Sequence, residues 1–523
     1  MEPEFNWLSL PDHNLENILL FLDVESLLRA TETCKKLQLI CAKSSKLCRK
    51  IRLKVIIDEN VTSELREIQA MIQMSERRYF NLHLASHSPH EWIEIDEFFI
   101  NQGNLTKLEK IFGATVKNLK ISTLTFRRAT LAYLLAGFPG LQTLSLVDVR
   151  DASDEMFDIG EFDIEKFSKR DKAVLRNSNF PEVEELEMVR SVFFYFYLFE
   201  NSLNLRKLVI DDMNKNIIDP NHFEPVLAKM KNLKDLKLQK FRSSHFLSTD
   251  HLANPSFQLD SLSMTAVYWD AKESGTAFFK SQRSLKRFHL ALKNRWGSNW
   301  EEEFWFNDIL KHVFVFNRDL HTVSISTAEK WGYNIQFTDF LDEVVCPKVE
   351  TLTYAKGPED DSSALMEAFV KMFPNLKQFV YKVDNDLPHQ DLSLISRWTK
   401  LETLNVSEVR KDDLQEIQVT SPNFYKIEIR YYATFSCHPT VRHLLFSYDS
   451  GFDDRYFEIL AESFPNLEIL TFRWSSFDPK QIDMLCLKFK KLRLIQVDET
   501  IEANDEFRAA ATKHGIEIKF DCV

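Results

Sequence analysis

Cys34, Cys41 and Cys48 recur at intervals of seven, and His83, His87 and His90 lie close to Glu91 and Glu94. These residue types ligate metals, so their spacing decides what they can do. Thiolate zinc sites use pairs two to four residues apart. An interval of seven instead puts the three cysteines on one face of helical structure, where cysteine serves as a small apolar group. Pro89 breaks any single helix through the histidines, so that stretch reads as a surface connection after a linker helix. No Ser/His/Asp, Cys/His or H-E-x-x-H arrangement stands at a spacing that names a nucleophile or a metal-bound base. The expectation is a chain with no catalytic residue, no metal and no cofactor.

Composition narrows the classes further. Only 11 of 523 residues are glycine, and the closest two, Gly137 and Gly140, do not form G-x-G. Phosphate-cradling loops need glycines where backbone approaches a ligand, so no dinucleotide fingerprint, P-loop or nucleophile elbow is present. The formal charge of −12 argues against a general nucleic-acid binder, which needs a basic footprint. The longest apolar run, residues 192–199, is far shorter than the ~20 residues of a membrane helix. The N-terminal residues lack the pattern of a secretory signal. Seven cysteines without a C-x-x-C pair fit a reducing compartment, so the chain is expected in the cytoplasm or nucleus.

What positions the remaining residues is a repeat. The pattern Φ-x-x-Φ-x-Φ, with Φ apolar, starts at Val116, Leu141, Val183, Leu205, Leu233, Leu259, Leu285, Leu320, Val349, Leu376, Leu401, Phe424, Val441, Leu467 and Leu492. The mean step is about 27 residues. Pro139, Pro181, Pro347, Pro374, Pro422, Pro439 and Pro465 stand two residues before a first Φ, where proline ends a helix ahead of a strand. Stripes such as Phe457, Leu460, Ala461 and Phe464 mark the helix. A strand–helix unit of this kind buries its apolar side only by stacking on its neighbours. The array over residues 105–523, about 15 repeats, resembles the leucine-rich-repeat family. The resemblance implies an α/β solenoid, a horseshoe with a parallel sheet inside and helices outside. In one respect the array departs from that family. The asparagine or cysteine usual three residues after the last Φ is replaced by Leu124, Val149, Ser191, Met213, Phe241 and others, so its turns must be satisfied in another way.

Residues 1–57 have a different pattern. Pro11 opens a helix, Leu15, Ile18, Leu19 and Leu22 fall on one stripe, and Asp23 is placed to cap a second short helix. A third helical stretch carries Leu37, Ile40 and Cys41. Three short helices make too small a core to stand alone. The run Leu10-Pro11, Leu15, Ile18, Phe21-Leu22-Asp23, Ser26-Leu27-Leu28, Cys34 to Leu37, Ile40-Cys41, Leu47 and Lys50 to Leu53 resembles an F-box, a small all-α module. Leu37 and Cys48 stand where that family commonly carries tryptophan. Residues 58–104 then form a linker helix and capping region.

The F-box resemblance implies a function. Such modules bind a Skp-type adaptor, and through it a cullin, while the downstream repeats capture a protein substrate for ubiquitination and proteasomal degradation. By resemblance the adaptor contacts are Leu10, Pro11, Leu15, Ile18, Leu22 and Leu27. The alternative is a protein-interaction scaffold outside any ligase, its F-box-like segment acting as an N-terminal cap. Residues 35–54 hold eight Lys or Arg and no acid, which either steers an acidic adaptor or is a solvated face. Residues 151–165 hold seven acids and no base, and Trp296, Trp300, Phe304 and Trp305 cluster in the 35-residue step before Leu320. The first reads as a rim loop, the second as a helix packed on the array or a partner contact. Arg430, Tyr431, Tyr448, Arg473 and Trp474 follow late strands, and form either an interface composition for an acidic or phosphorylated segment or simple packing at the array's edge. Nucleic acid and membrane are not among the expected partners. If the compartment is reducing, alkylation of unfolded protein without reductant labels all seven cysteines. A Cys34–Cys41 or Cys41–Cys48 bridge in cell-derived material would refute it.

Overall fold

The computed structural model describes residues 10–58, 61–75, 79–87, 93–94, 103–152, 180–191, 193–211, 220–241, 250–266, 273–292, 301–326, 344–356, 362–383, 390–407, 419–429, 437–447, 454–473, 481–498 and 505–521. The chain divides into two compact units, Met1–Phe257 and Gln258–Val523.

The first unit opens with four short helices, α1 (Asp12–Phe21), α2 (Val24–Thr33), α3 (Lys35–Lys43) and α4 (Ser45–Cys48). Each junction is capped by the side chain that separates two helices. Asp23 accepts from the Ser26 amide at 2.7 Å, Cys34 Sγ from the Leu37 amide at 3.4 Å, and Ser44 Oγ from the Leu47 amide at 3.1 Å. Such caps satisfy amides that have no partner inside the helix. Leu15, Leu19, Leu27, Leu37, Ile40, Cys41 and Leu47 form the core between the helices. Lys50 closes it by donating to the Leu20 and Leu22 carbonyls at the end of α1, where a cation meets the negative end of the helix.

Parallel strands come next in chain order: β1 (Arg52–Ile57), β2 (Asn81–Ser86), β3 (Asn118–Ser122), β4 (Thr143–Val147), β5 (Glu185–Val189), β6 (Lys207–Asp211) and β7 (Asp235–Phe241). One row of leucines, Leu53, Leu82, Leu119, Leu144, Leu186, Leu208 and Leu236, crosses all of them in register. The second unit repeats the arrangement from strand Ser261–Ala266 to strand Glu517–Asp521, with the row Leu262, Phe288, Val323, Leu352, Phe379, Leu404, Ile427, Leu444, Leu470, Ile495 and Ile518. Helices cover the face that carries these rows. Phe279 of helix Glu273–Ser281 meets Phe288 edge-on at 6.3 Å, and Phe369 of helix Ser362–Met372 meets Tyr354 at 5.2 Å. Among the described residues no helix is packed on the opposite face. The fifteen residues from Val116 to Leu492 that open the repeats are all buried. These are the parallel sheet and covering helices of leucine-rich repeats.

The repeat starts well before residue 105. Residues 58–104 hold the expected helix, Val61–Ser75, but also β2. His83 is therefore on the sheet and not in a surface connection. His90 and Glu91 lie outside the described residues. Register assigns the first-Φ position to Tyr79 for β2, Lys50 for β1 and Gly515 for the last strand. Tyr79 is buried in the helical module's core, with Leu53 and Ile72 packed against it. The small module thus borrows its missing apolar surface from the first repeats.

The turns are satisfied in two ways. Thr123, Asp148 and Arg190 have φ of 56°, 55° and 47°, a left-handed conformation that costs a non-glycine residue about 1 kcal/mol. It turns their amides onto the Val147, Val189 and Asp211 carbonyls at 2.8–2.9 Å. Asp148 and Arg190 also pair bidentately at 2.6 Å, and Ser191 Oγ takes the Val149 amide at 3.1 Å. At the other end of the strands, Asn204, Asn232, Asn375 and Asn466 each precede a first Φ. Their side-chain amides donate to the carbonyls of Pro181, Leu203, Pro347 and Pro439 in the preceding repeat at 2.8–3.0 Å. This asparagine ladder occupies a different position from the one missing in the sequence.

Of the acidic run at 151–165, all but Asp151 and Ala152 lie outside the described residues. So do Trp296 and Trp300, but the segment after them is helix Glu301–Phe316, with Ile309, Leu310, Val313 and Phe314 buried. Asn375→Ala should lower stability by about 1 kcal/mol, the net value of a hydrogen bond, read as the midpoint of denaturant unfolding. Asn375→Asp, which cannot donate, should cost at least as much.

Candidate functional site

Among the described residues two surfaces are candidates for a partner, and the first is the outer flank of the helical module. The six residues expected there fall into three groups. Leu15 and Leu27 are fully buried, Leu10 and Leu22 are half-buried against the same core, and Pro11 and Ile18 are exposed. Pro11, Ile18 and Phe21 follow the helical spacing of one flank of α1, turned away from the Leu15–Leu19 stripe. Phe21 is 91% exposed, and Val24 at the start of α2 and Leu39 on α3 are also exposed apolar residues. Phe21 is the strongest contact candidate, and it is absent from the six residues that the resemblance names. The sequence carries no clear signal for it, since Ile18, which is exposed beside it on α1, falls on the same apolar stripe as the buried Leu15 and Leu19.

The basic run 35–54 has no single role. Lys36 Nζ lies 3.4 Å from Asp12 and donates to the Leu10 carbonyl at 2.9 Å. Lys50 latches α1. Arg52 and Lys54 leave the module altogether and stand on β1.

The second surface is the open face of the sheet. On β3 the burial alternates, with Leu119 and Ile121 inward and Asn118, Lys120 and Ser122 outward. Register carries the outward rows across β1 and β2, so Lys54, His83 and Lys120 are consecutive, as are Arg52, Asn81 and Asn118. His83 Nε2 is 2.7 Å from Ser122 Oγ. Burial, then the charges of Lys120, Arg52 and Lys54, lower the His83 pKa to about 4. Asn81 fixes the next row by donating to the Arg49 and Ile51 carbonyls and accepting from Asn118 at 2.6 Å. The second unit has a similar arrangement. His443 is lowered to about 4 by burial, then by Lys426 and Arg473. Its Nε2 lies 2.8 Å from Thr471 Oγ1, which donates to Gln496. The hydroxyl proton is thereby committed, so neutral His443 carries its hydrogen on Nε2. Of the late-strand patch expected from sequence, Arg473 is exposed at the end of strand Ile469–Arg473. Arg430, Tyr431, Tyr448 and Trp474 lie outside the described residues. Among the described residues no group of histidine, cysteine and carboxylate side chains is arranged to hold a metal ion. No described helix is long and apolar enough to cross a membrane.

A family model described as F-box-like matches residues 7–54, the segment that holds α1 to α4. The chain carries an F-box-like module followed by leucine-rich repeats. No curated protein matches the sequence. Solved structures similar to it include a leucine-rich-repeat protein of Leptospira interrogans, 11% identical with a TM-score of 0.39, covering 90% of this chain and 100% of that one. Leucine-rich repeat-containing LegL7 of Legionella pneumophila is 14% identical with a TM-score of 0.29, covering 59% and 90%. The functional domain of InlJ from Listeria monocytogenes is 12% identical with a TM-score of 0.28, covering 64% and 75%. The repeat assignment rests on this chain's own register and burial, not on those likenesses.

In the F-box-like module the usual tryptophan positions are filled by buried Leu37 and Cys48, and Cys48 Sγ donates to the Cys41 carbonyl at 3.2 Å. The smaller side chains are absorbed without exposing the core. The two lowered histidines set a pH dependence. Unfolded histidine binds a proton near pH 6.5, whereas His83 and His443 resist it until about 4. Between these values the unfolded chain holds more protons, so stability falls as pH drops from 6.5 towards 4. Denaturation midpoints at pH 7.5 and 4.5 should differ more for the native chain than for the H83Q/H443Q variant.

Proposed function

We propose that this chain is the substrate receptor of an SCF-type ubiquitin ligase. Its F-box-like module binds a Skp-type adaptor, which joins it to a cullin. Its leucine-rich repeats hold the protein to be ubiquitinated and degraded. The chemistry belongs to other subunits, and the chain contributes binding only. The carrying observation is the F-box-like match over residues 7–54, on a module that displays Ile18, Phe21 and Val24 to solvent. Large exposed apolar side chains beside one another mark an interaction site. Such complexes operate in the cytoplasm and nucleus, and Cys34, Cys41, Cys48, Cys346, Cys437 and Cys486 are all free thiols, which fits a reducing compartment.

A second reading is favoured by one specific observation. The module shares its core with Tyr79, Leu53 and Ile72 of the first repeats, as a dedicated N-terminal cap would. On that reading the chain is a protein-binding scaffold outside any ligase. The two are separated by charge on the α1 flank. The I18E/F21E variant should bind a purified Skp-type adaptor at least about 30-fold more weakly, the effect of losing one hot spot. Its circular-dichroism spectrum should be unchanged, since neither residue belongs to the core. Unaltered adaptor binding, or none by the native chain, leaves the scaffold reading in place.

A further inference from the structure

The open face of β1–β3 is a concentrated positive surface inside an acidic chain. Adjacent strands are about 4.8 Å apart, so Lys54 and Lys120 flank His83 with backbones separated by roughly 10 Å. Arg52 lies two residues along β1, about 7 Å away. Among the described residues, none of Arg52, Lys54 and Lys120 makes an ion pair or a side-chain hydrogen bond. No acid stands at an outward position of β1, β2, β3 or β4. The first acids in these rows are Glu185 and Glu187 on β5, and both are engaged, Glu185 with Lys207 at 3.5 Å and Glu187 with Ser145 at 2.6 Å. Among the described residues the cations are therefore left uncompensated. The depressed basicity of His83 reports the same field, since each charge acting on it is positive.

We infer that the open face of β1–β3 binds an acidic segment of a protein through Arg52, Lys54 and Lys120, with His83 and Ser122 as polar floor. The inference rests on the proposed receptor role and adds the chemistry of what is captured. Charge complementarity selects the occupant. The patch is open and spread over about 10 by 7 Å, which suits several spaced carboxylates of aspartate and glutamate. A nucleic acid would run beyond it onto Glu185 and Glu187 and meet a chain of net charge −12, where long polyanions are repelled.

The test uses the full-length chain bound to its adaptor. A fluorescein-labelled peptide with alternating glutamate and glycine, a matched glutamine peptide, a phosphoserine peptide, a short DNA duplex and phosphatidylserine vesicles are compared by anisotropy or co-sedimentation. The glutamate peptide should bind at least tenfold more tightly than the glutamine peptide, and less tightly as salt rises. K54E/K120E should weaken it at least tenfold, and K54R/K120R should restore it. Adaptor binding should be the same in all three proteins, which separates failure here from failure of the receptor role. K54A/K120A serves if charge reversal disturbs the fold, and should weaken binding at least threefold. Equal binding of the glutamate and glutamine peptides, or an unchanged affinity in the reversed or alanine variants, overturns the inference. So does binding confined to the phosphoserine peptide, the duplex or the vesicles.

Discussion

No strand–helix unit of this chain can bury its own apolar side, and this constraint organises the rest. Each inward residue of a strand needs the neighbouring unit to complete its cover, so the leucine row across β1–β7 is a condition for folding as much as a pattern. The constraint presses hardest at a terminus of the stack. At β1 the helical module closes it, through a core that includes Tyr79 and takes in Leu53 and Ile72. In the last strand, Glu517–Asp521, the outward positions Glu517 and Lys519 are charged and exposed, and charge on an edge strand discourages further strand pairing.

The sheet's two ends show how a repeat tolerates drift in its consensus. A backbone amide or carbonyl at a strand end needs a partner, but the partner can come from more than one place. Here left-handed Thr123, Asp148 and Arg190 redirect main-chain amides at one end. Asparagines before the first apolar position bridge consecutive repeats at the other. The usual polar residue in the turn is thereby dispensable, and apolar Leu124 and Val149 can be buried at its position.

The fifteen strands from Val116 onward were legible because each offers an apolar residue at all three spaced positions. β1, β2 and the last strand were not: Lys50 and Gly515 break the pattern at its first position in β1 and the last strand, and in β2 that position holds Tyr79, an aromatic with a polar hydroxyl. The same omission hid the positive surface. Once β1 is outside the sheet, Arg52 and Lys54 are only the end of a basic run, and His83 is only a histidine near other histidines. The F-box-like module was legible as a module, but sequence does not separate Leu15 and Leu27, which are core, from Ile18 and Phe21, which face solvent. All four lie in the two short helices α1 and α2, and only the packing of the module's core distinguishes them.

The shared core around Tyr79 also fixes a distance. No flexible tether separates the module from β1, since Leu53 of β1 packs into the module and Asn81 of β2 holds the Arg49 and Ile51 carbonyls. A molecule seated near β1 is then presented to whatever the module binds at a local concentration set by rigid geometry instead of by chain statistics. Lengthening the chain between residues 48 and 52 would loosen that geometry and dilute one bound partner with respect to the other, even with both binding surfaces intact.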